Sequence, residues 1–423
     1  MASGLNFFTN AIEVFPAAYG SWQDVDVSSY IPTGATGVIL YIESYSTGGS
    51  ALMGIRKNGS SDSYYCYYGV LQGVIVGVDA SRIFEARLQD SGQRLFLIGY
   101  TDSSVTLFDN CIDKSTGTAG SYQDVDVSGD GVPSGATGAV FFFHNTGASD
   151  YNCALRKNGS SDDIYAEVEG DASGGILWGI CGLDANRICE QKIANTAVDL
   201  KLIGYTLTPV TFLDNAVDKS LTTTGSWVDI DLTGDTAASA DGAIFSIKNT
   251  GSGSYNHGLQ HKNSTDDYLE AIWSYSLLWR HVGLDSGQVC EGYIANVAVD
   301  FYLRGYCYPT GAVTEKTSAD TGAGADAYIS LETGEAKTSS DVGAGAEGVP
   351  LPGATLTGSQ AGSGIEALIF RLLAGVDTGT GAEVAQVSGL FQDLFASELG
   401  RGYDLLTAKI EIPTKGGGMK LWT

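Results

Sequence analysis

The chain has 423 residues, with 23 Lys+Arg against 49 Asp+Glu for a net charge of −26, and only 17% of it is charged. So acidic a balance excludes a nucleic-acid surface, which needs clustered Lys and Arg to displace counterions, and excludes docking on anionic lipid. The 43% hydrophobic share supplies cores, 57 glycines against 8 prolines suit short strands and tight turns, and no stretch approaches the roughly 18 uncharged apolar residues of a membrane helix.

Met1-Ala-Ser-Gly-Leu-Asn6 carries neither a basic segment nor a continuous apolar one, so no secretory leader is expected. From there a module of about 100 residues appears three times. It opens on Gly20-Ser-Trp22-Gln-Asp24-Val-Asp26-Val27, Gly120-Ser-Tyr122-Gln-Asp124-Val-Asp126-Val127 and Gly225-Ser-Trp227-Val-Asp229-Ile-Asp231-Leu232. Its middle is Arg56-Lys-Asn-Gly-Ser-Ser-Asp62, Arg156-Lys-Asn-Gly-Ser-Ser-Asp162 and His261-Lys-Asn-Ser-Thr-Asp-Asp267. Asp79, Asp184 and Asp285 follow, each six residues before Glu85, Glu190 or Glu291, and each copy closes on Gly99-Tyr100, Gly204-Tyr205 or Gly305-Tyr306. A period this long exceeds the ~20–50 residues of a solenoid unit, so each copy is expected to be a domain. Within a copy, runs such as Val38-Ile-Leu-Tyr-Ile-Glu43 and Arg94-Leu-Phe-Leu-Ile-Gly-Tyr100 have strand composition, with turn residues between them. The expected fold is all-β: three tandem β-sandwich modules of jelly-roll type over 12–108, 109–207 and 208–309.

Past Pro309 the composition turns to Gly, Ala and Thr, with a looser repeat at Gly322-Ala-Gly-Ala-Asp326, Gly343-Ala-Gly-Ala-Glu347, Gly362-Ser-Gly-Ile-Glu366 and Gly379-Thr-Gly-Ala-Glu383. Units this short cannot fold alone, so residues 310–423 read as an extended attachment and oligomerisation arm. Ser388 is placed to cap one short helix carrying Leu390, Phe391, Leu394 and Phe395, and these with Trp422 are the candidate assembly residues.

Chemistry-bearing motifs are few. Gly343-Ala-Gly-Ala-Glu-Gly348 spells a dinucleotide-binding pattern, but Pro350 and Pro352 prevent the helix it requires. The Asp24/Asp26, Asp124/Asp126 and Asp229/Asp231 pairs read as solvated strand faces, and they are the only carboxylate pairs a hydrolase or calcium site offers. Of four histidines, three (His257, His261, His281) lie in the third copy, where the earlier copies carry Arg56 and Arg156 opposite His261. His257-x-x-x-His261 has zinc spacing on a helix but not on a strand. Seven cysteines include no CxxC pair and read as small buried side chains, Cys189 and Cys290 filling the place of Phe84. The aromatic run Tyr64-Tyr65-Cys66-Tyr67-Tyr68 is the candidate ligand or partner surface. No catalytic residue, cofactor or metal is expected.

The runs Gly-Ser-Trp-x-Asp-Val-Asp-Val, Pro32-Thr-Gly-Ala-Thr-Gly-Val38, Arg-Lys-Asn-Gly-Ser-Ser-Asp and Leu-Ile-Gly-Tyr resemble modules of tailed-phage and prophage virion proteins, and the tail's Asp-Thr-Gly-Ala-Gly-Ala-Asp-Ala units are similar to Gly-rich repeats of phage tail-region proteins. The resemblance implies a non-enzymatic virion structural protein (fibre, collar, tail-associated or decoration subunit) partnered with itself, as a homo-oligomer such as a trimer, and with other virion proteins. The alternative is a carbohydrate-binding adhesin recognising host surface glycans through the tyrosine run, its tandem copies adding avidity.

Overall fold

The period-two runs become β-strands in the computed structural model, which describes residues 3–44, 52–65, 72–168, 170, 175–309, 316–320, 337–341, 409–411 and 420–422. The first set of strands is β1 Leu5–Val14, β2 Gln23–Asp26, β3 Gly37–Ser44, β4 Gly54–Lys57, β5 Gln72–Gly77, β6 Ile83–Arg87 and β7 Gln93–Thr101. The second is β8 Val105–Asp113, β9 Gln123–Asp126, β10 Gly138–Asn145, β11 Tyr151–Lys157, β12 Ala166–Val168, β13 Gly175–Gly182, β14 Ile188–Ile193 and β15 Val198–Thr206. The third is β16 Val210–Asp218, β17 Trp227–Asp231, β18 Gly242–Asn249, β19 Tyr255–His261, β20 Glu270–Ile272, β21 Leu277–Gly283, β22 Val289–Ile294 and β23 Val299–Cys307.

Each set makes two small antiparallel sheets. Their orders are β1-β7-β3-β5 with β2-β6-β4, β8-β15-β10-β13 with β9-β14-β11-β12, and β16-β23-β18-β21 with β17-β22-β19-β20. The two sheets of a set share one apolar cluster: Val25, Phe84 and Ala86 meet Val38, Leu40 and Leu97 in the first, and Ile230, Leu259 and Cys290 meet Phe245, Val282 and Leu303 in the third. Fully burying such a side chain stabilises by about 1.5–3 kcal/mol. Cys189 and Cys290 pair with Lys157 and His261 as Phe84 pairs with Lys57, and all three are buried in the core.

The fold is all-β, with no helix among the described residues. The helix expected from Ser388, and with it Leu390, Phe391, Leu394 and Phe395, lies outside them. Residues 2–309 form one unit and 310–423 belong to another, of which the described parts are a parallel pair, β24 Lys316–Asp320 with β25 Lys337–Asp341, and an antiparallel pair, β26 Lys409–Glu411 with β27 Lys420–Trp422. The expected boundaries at 12 and 109 fall inside β1 and β8, which pair with β7 and β15 of their own sets.

The six sheets follow one another in a closed, propeller-like cycle. β8 packs on β4 and β5, β16 on β11 and β13, and β1 returns to β19 and β21. At the centre β5, β13 and β21 touch one another, and all three are buried along both faces. Each junction, or seam, is built on a slot. Gly37 pairs with Gly77, Gly138 with Gly182 and Gly242 with Gly283, and against these pairs lie Leu107, Phe212 and Phe7 from the first strand of the next set. A Cβ on Gly182 would stand 2.5 Å from Phe212 Cβ, and one on Gly283 would stand 2.7 Å from Phe7 Cβ. Gly182→Ala should therefore cost about 1–3 kcal/mol by overpacking, read as a lower denaturation midpoint. Gly234→Ala, where a Cβ meets nothing within 4 Å, should change stability far less.

Candidate functional site

The turn after β4, β11 and β19 carries the seam's polar contacts. Gly59 and Gly159 take positive φ (79° and 80°), and in the third copy Asn263 does so at 69°. Asparagine tolerates this region better than other side-chain-bearing residues. The strand register therefore equates Gln260, not His261, with Arg56 and Arg156: each faces the shared glutamate, Glu291, Glu85 or Glu190. The expectation that His261 stands opposite those arginines is corrected by one residue.

That shift aligns Ser60-Ser61-Asp62, Ser160-Ser161-Asp162 and Ser264-Thr265-Asp266, and one interaction repeats three times. Asn110 Oδ1 accepts from Ser60 Oγ (3.1 Å), Ser61 N (2.8 Å) and Ser61 Oγ (2.9 Å). Asn215 accepts equivalently from Ser160 and Ser161, with the Ser161 N bond at 2.8 Å. Asn10 accepts from Ser264 and Thr265, with the Thr265 N bond at 2.8 Å. Each turn aspartate answers by accepting a backbone N–H of that strand: Cys111 to Asp62 (2.7 Å), Ala216 to Asp162 (2.9 Å) and Ala11 to Asp266 (2.7 Å). Lys57–Asp109 and Lys157–Asp214 ion pairs, both 2.6 Å, flank the first two seams. The sequence signal for this lock is Leu5-Asn-Phe-Phe-Thr-Asn10, Val105-Thr-Leu-Phe-Asp-Asn110 and Val210-Thr-Phe-Leu-Asp-Asn215, a repeat upstream of the Gly-Ser-Trp/Tyr opening.

The seams differ in their interiors. In the first, Tyr64 packs on Phe142 (centroids 5.0 Å) and His144 (5.1 Å), beside a cavity of about 40 Å³. In the second, Arg304 donates to Asp162 (2.9 Å) and Ser246 (2.8 Å). In the third, a cavity of about 30 Å³ is bordered by Phe7, Tyr41, Arg280 and His281. These volumes suit a water-sized occupant, far below the ~300–1,000 Å³ of a small-molecule site.

The tyrosine run divides. Tyr64 belongs to the first seam, and burial holds its hydroxyl well above the usual range. Tyr65 stacks on Trp22 (5.8 Å) and accepts from Arg87 (2.9 Å), while Tyr67 and Tyr68 lie outside the described residues. Trp422 falls in β27. Asp26, Asp126 and Asp231 are exposed and accept the backbone N–H of Ser28, Ser128 and Thr233, which lowers their carboxyl pKa values. Asp130 pairs with Lys114 at 2.8 Å. Among the described residues no group of three or more His, Cys, Asp or Glu side chains is placed to hold a metal. The six described cysteines are free thiols; burial pushes Cys111 up to about 11.

One aromatic feature carried no periodicity to announce it. Trp273 and Tyr275 are 45% and 51% exposed on the β20–β21 turn, Tyr275 at a positive φ of 58°. Asn249 Nδ2 braces the turn, donating to Gly253 O, Ile272 O and Trp273 O.

No family model matches the sequence, and no curated protein matches it. Among solved structures the chain is similar to one described as the atomic structure of Sulfolobus Turreted Icosahedral Virus (9% identity, TM-score 0.19, 71% of this chain and 90% of that one). It is similar also to one described as the triple jelly roll fold and turret assembly in an archaeal virus (9%, 0.18, 72% and 90%). A third is the M60 catalytic domain with two CBM51 domains of Clostridium perfringens ZmpB (8%, 0.18, 68% of this chain but 33% of that one). Likenesses at these TM-scores carry no argument about this chain.

Asn110→Ala removes three hydrogen bonds from the first lock and should lower unfolding free energy by about 1–3 kcal/mol, measured by urea denaturation. An unchanged midpoint would show that solvent replaces those bonds at no cost.

Proposed function

We propose that the chain is a non-enzymatic structural protein of a tailed-phage particle, a fibre, collar, tail-associated or decoration subunit, with its ring displayed outward and residues 310–423 as the anchoring and oligomerisation arm. In this reading each set of strands is a jelly-roll sandwich, the second and third in the order first-eighth-third-sixth facing second-seventh-fourth-fifth, and the first, with seven described strands, as β1-β7-β3-β5 facing β2-β6-β4. The observation that carries it is the ring itself: one head-to-tail contact, repeated three times, closes within a single chain. Such an arrangement makes a rigid platform and commits its seam surfaces to holding copies together. The motif resemblance to virion modules supports the same reading, and so does the change of composition after Pro309. Partners are other virion proteins and further copies of the chain.

Electron microscopy of purified particles labelled at Met1 tests it directly. Label should appear at regular positions on the particle, and a fragment ending at Pro309 should remain a cooperatively unfolding monomer that no longer incorporates. Absence of the chain from particles, or normal incorporation of the fragment, overturns the assignment or the arm's role respectively.

The second reading, glycan binding, is favoured by one observation: the braced Trp273–Tyr275 turn presents two exposed rings of the kind that stack on sugar faces. On a glycan array, binding by the full chain that falls at least about tenfold in Trp273→Ala, at ~1.4 kcal/mol or more, would establish it; no binding removes it.

A further inference from the structure

The third seam buries more unpartnered polar chemistry than the other two, the first holding a single such group in His144 Nδ1. Counting from the paired glycines Gly283, Gly182 and Gly77, His281 stands where the earlier copies have Ile180 and Ile75, and Arg280 where they have Gly179 and Val74. Arg280 and His281 are only 1% and 2% exposed. The Arg280 guanidinium lies 4.2 Å from the ring centroid of Tyr41, on the first copy, and the Tyr41 hydroxyl donates to the His281 carbonyl. Arg280 Nε and Nη2, both ring nitrogens of His281, and His257 Nε2 have no hydrogen-bond partner among the described residues. His257 Nδ1 meets the Glu270 carbonyl at 2.9 Å, and Glu270 Oε2 is itself buried and unpartnered. Buried polar atoms are nearly always satisfied, so four orphaned nitrogens at one seam, and a fifth on His257 near enough to feel the Arg280 charge, demand a reason.

We propose that the seam between the third copy and the N-terminal strand β1 is an acid-responsive clasp: protonation of His257 and His281 releases β1 and opens the ring there, while the other two seams hold. The inference concerns the ring alone and does not depend on where the protein acts.

The charges around these imidazoles are of both signs, and Arg280 is the one that opposes their protonation. On β21 itself there is Arg280. From β3 come Tyr41 and Glu43, the latter reached by Arg94 at 3.4 Å; from β20 comes Glu270; and from β19 and its turn come His261 and Asp266, whose carboxylate accepts from Ala11 N. From β1 the cavity receives Phe7, Phe8, Thr9 and Ala11, which carry no charge. Burial, and then Arg280, depress both histidines to about 3, against about 6.5 in an unfolded chain. A depressed base binds more protons unfolded than folded, so stability falls as pH drops below about 6.5 and keeps falling towards the folded values. Glu270 works the other way: burial raises it well above its ordinary value, so acidification favours the folded form until pH reaches the unfolded carboxyl value near ~4.3. The clasp opens in acid where the two histidines together outweigh the one glutamate, which is the balance the experiment reads.

Hydrogen exchange of the full chain, corrected for intrinsic rates, tests this at about pH 7.5 and about pH 5. Residues 5–14 should exchange on the order of fivefold faster at the lower pH, with 210–218 unchanged and 105–113, whose seam holds the single histidine His144, responding far less. His281→Ile, which installs the residue of the other two copies, should remove most of that acceleration. Equal responses of the three first strands, or an unaltered response in a folded His281→Ile chain, overturn the proposal. Should the variant fail to fold, the histidine ring protons of the native chain decide by NMR: midpoints far below the free imidazole value with concerted loss of β1 signals support the clasp, and ordinary midpoints overturn it.

Discussion

Everything in the ring depends on an apolar side chain entering a slot between two paired glycines. Leu107, Phe212 and Phe7 lie where Cβ atoms on Gly37 and Gly77, Gly138 and Gly182, or Gly242 and Gly283 would have to be. A sheet surface that bears no side chain at one cross-strand pair presents its backbone, and only there can the next strand approach so closely. Packing at this density is unforgiving of an added methyl, which makes the slot a specificity device as well as an attractive contact. The Asn-to-turn hydrogen bonds lie beside it and fix its register: an asparagine carbonyl accepting three donors from two consecutive residues cannot slide by one position without losing them.

Given that slot, the central strands acquire their composition. β5, β13 and β21 each have one face in their own core and the other against their counterparts, so both faces must be apolar or internally satisfied. Gln72 shows how a polar residue survives there, its amide bonded to Ile176 O and Trp178 N across the centre. Arg304 does likewise in the second seam through Asp162 and Ser246. Arg280 and His281 do not, and their four orphaned nitrogens set the third seam apart from the first, where His144 has one.

Much of this was legible beforehand. Strand runs, turns and the threefold repeat follow from composition and spacing, and the buried slot of Phe84, Cys189 and Cys290 follows from aligning the copies. The first strand was not legible, because Leu5-Asn-Phe-Phe-Thr-Asn10 shares only Phe7, Phe8 and Asn10 with one or both of its counterparts, and its role becomes visible only when the chain closes on itself. The register of the third turn misled for a local reason: Lys262-Asn263 replaces Asn-Gly, and the Asp266-Asp267 doublet offers two equally good matches to Asp62. The seam chemistry is a property of juxtaposed copies, and residues some 240 positions apart, such as Tyr41 and His281, leave no periodic trace.

Fusing three copies into one chain changes what a ring can be. Three separate chains of one sequence would make three identical seams, so a substitution useful at one would be imposed on all. Within one chain each seam carries its own residues, while linkage keeps the effective concentration of the partners high enough that a weaker seam still closes. The two chain-continuous seams join sets separated by a few residues, Asp102–Ser104 and Leu207–Pro209, whereas the third must bring Leu5 back to Cys307 across the whole ring, a contact seen in the Cys307 thiol donating to Leu5 O at 3.3 Å. The seam closed only by non-covalent contact is the one whose opening separates the ends without breaking the chain. It is also the seam where the isoleucines of the other copies have given way to a histidine, and a glycine and a valine to an arginine.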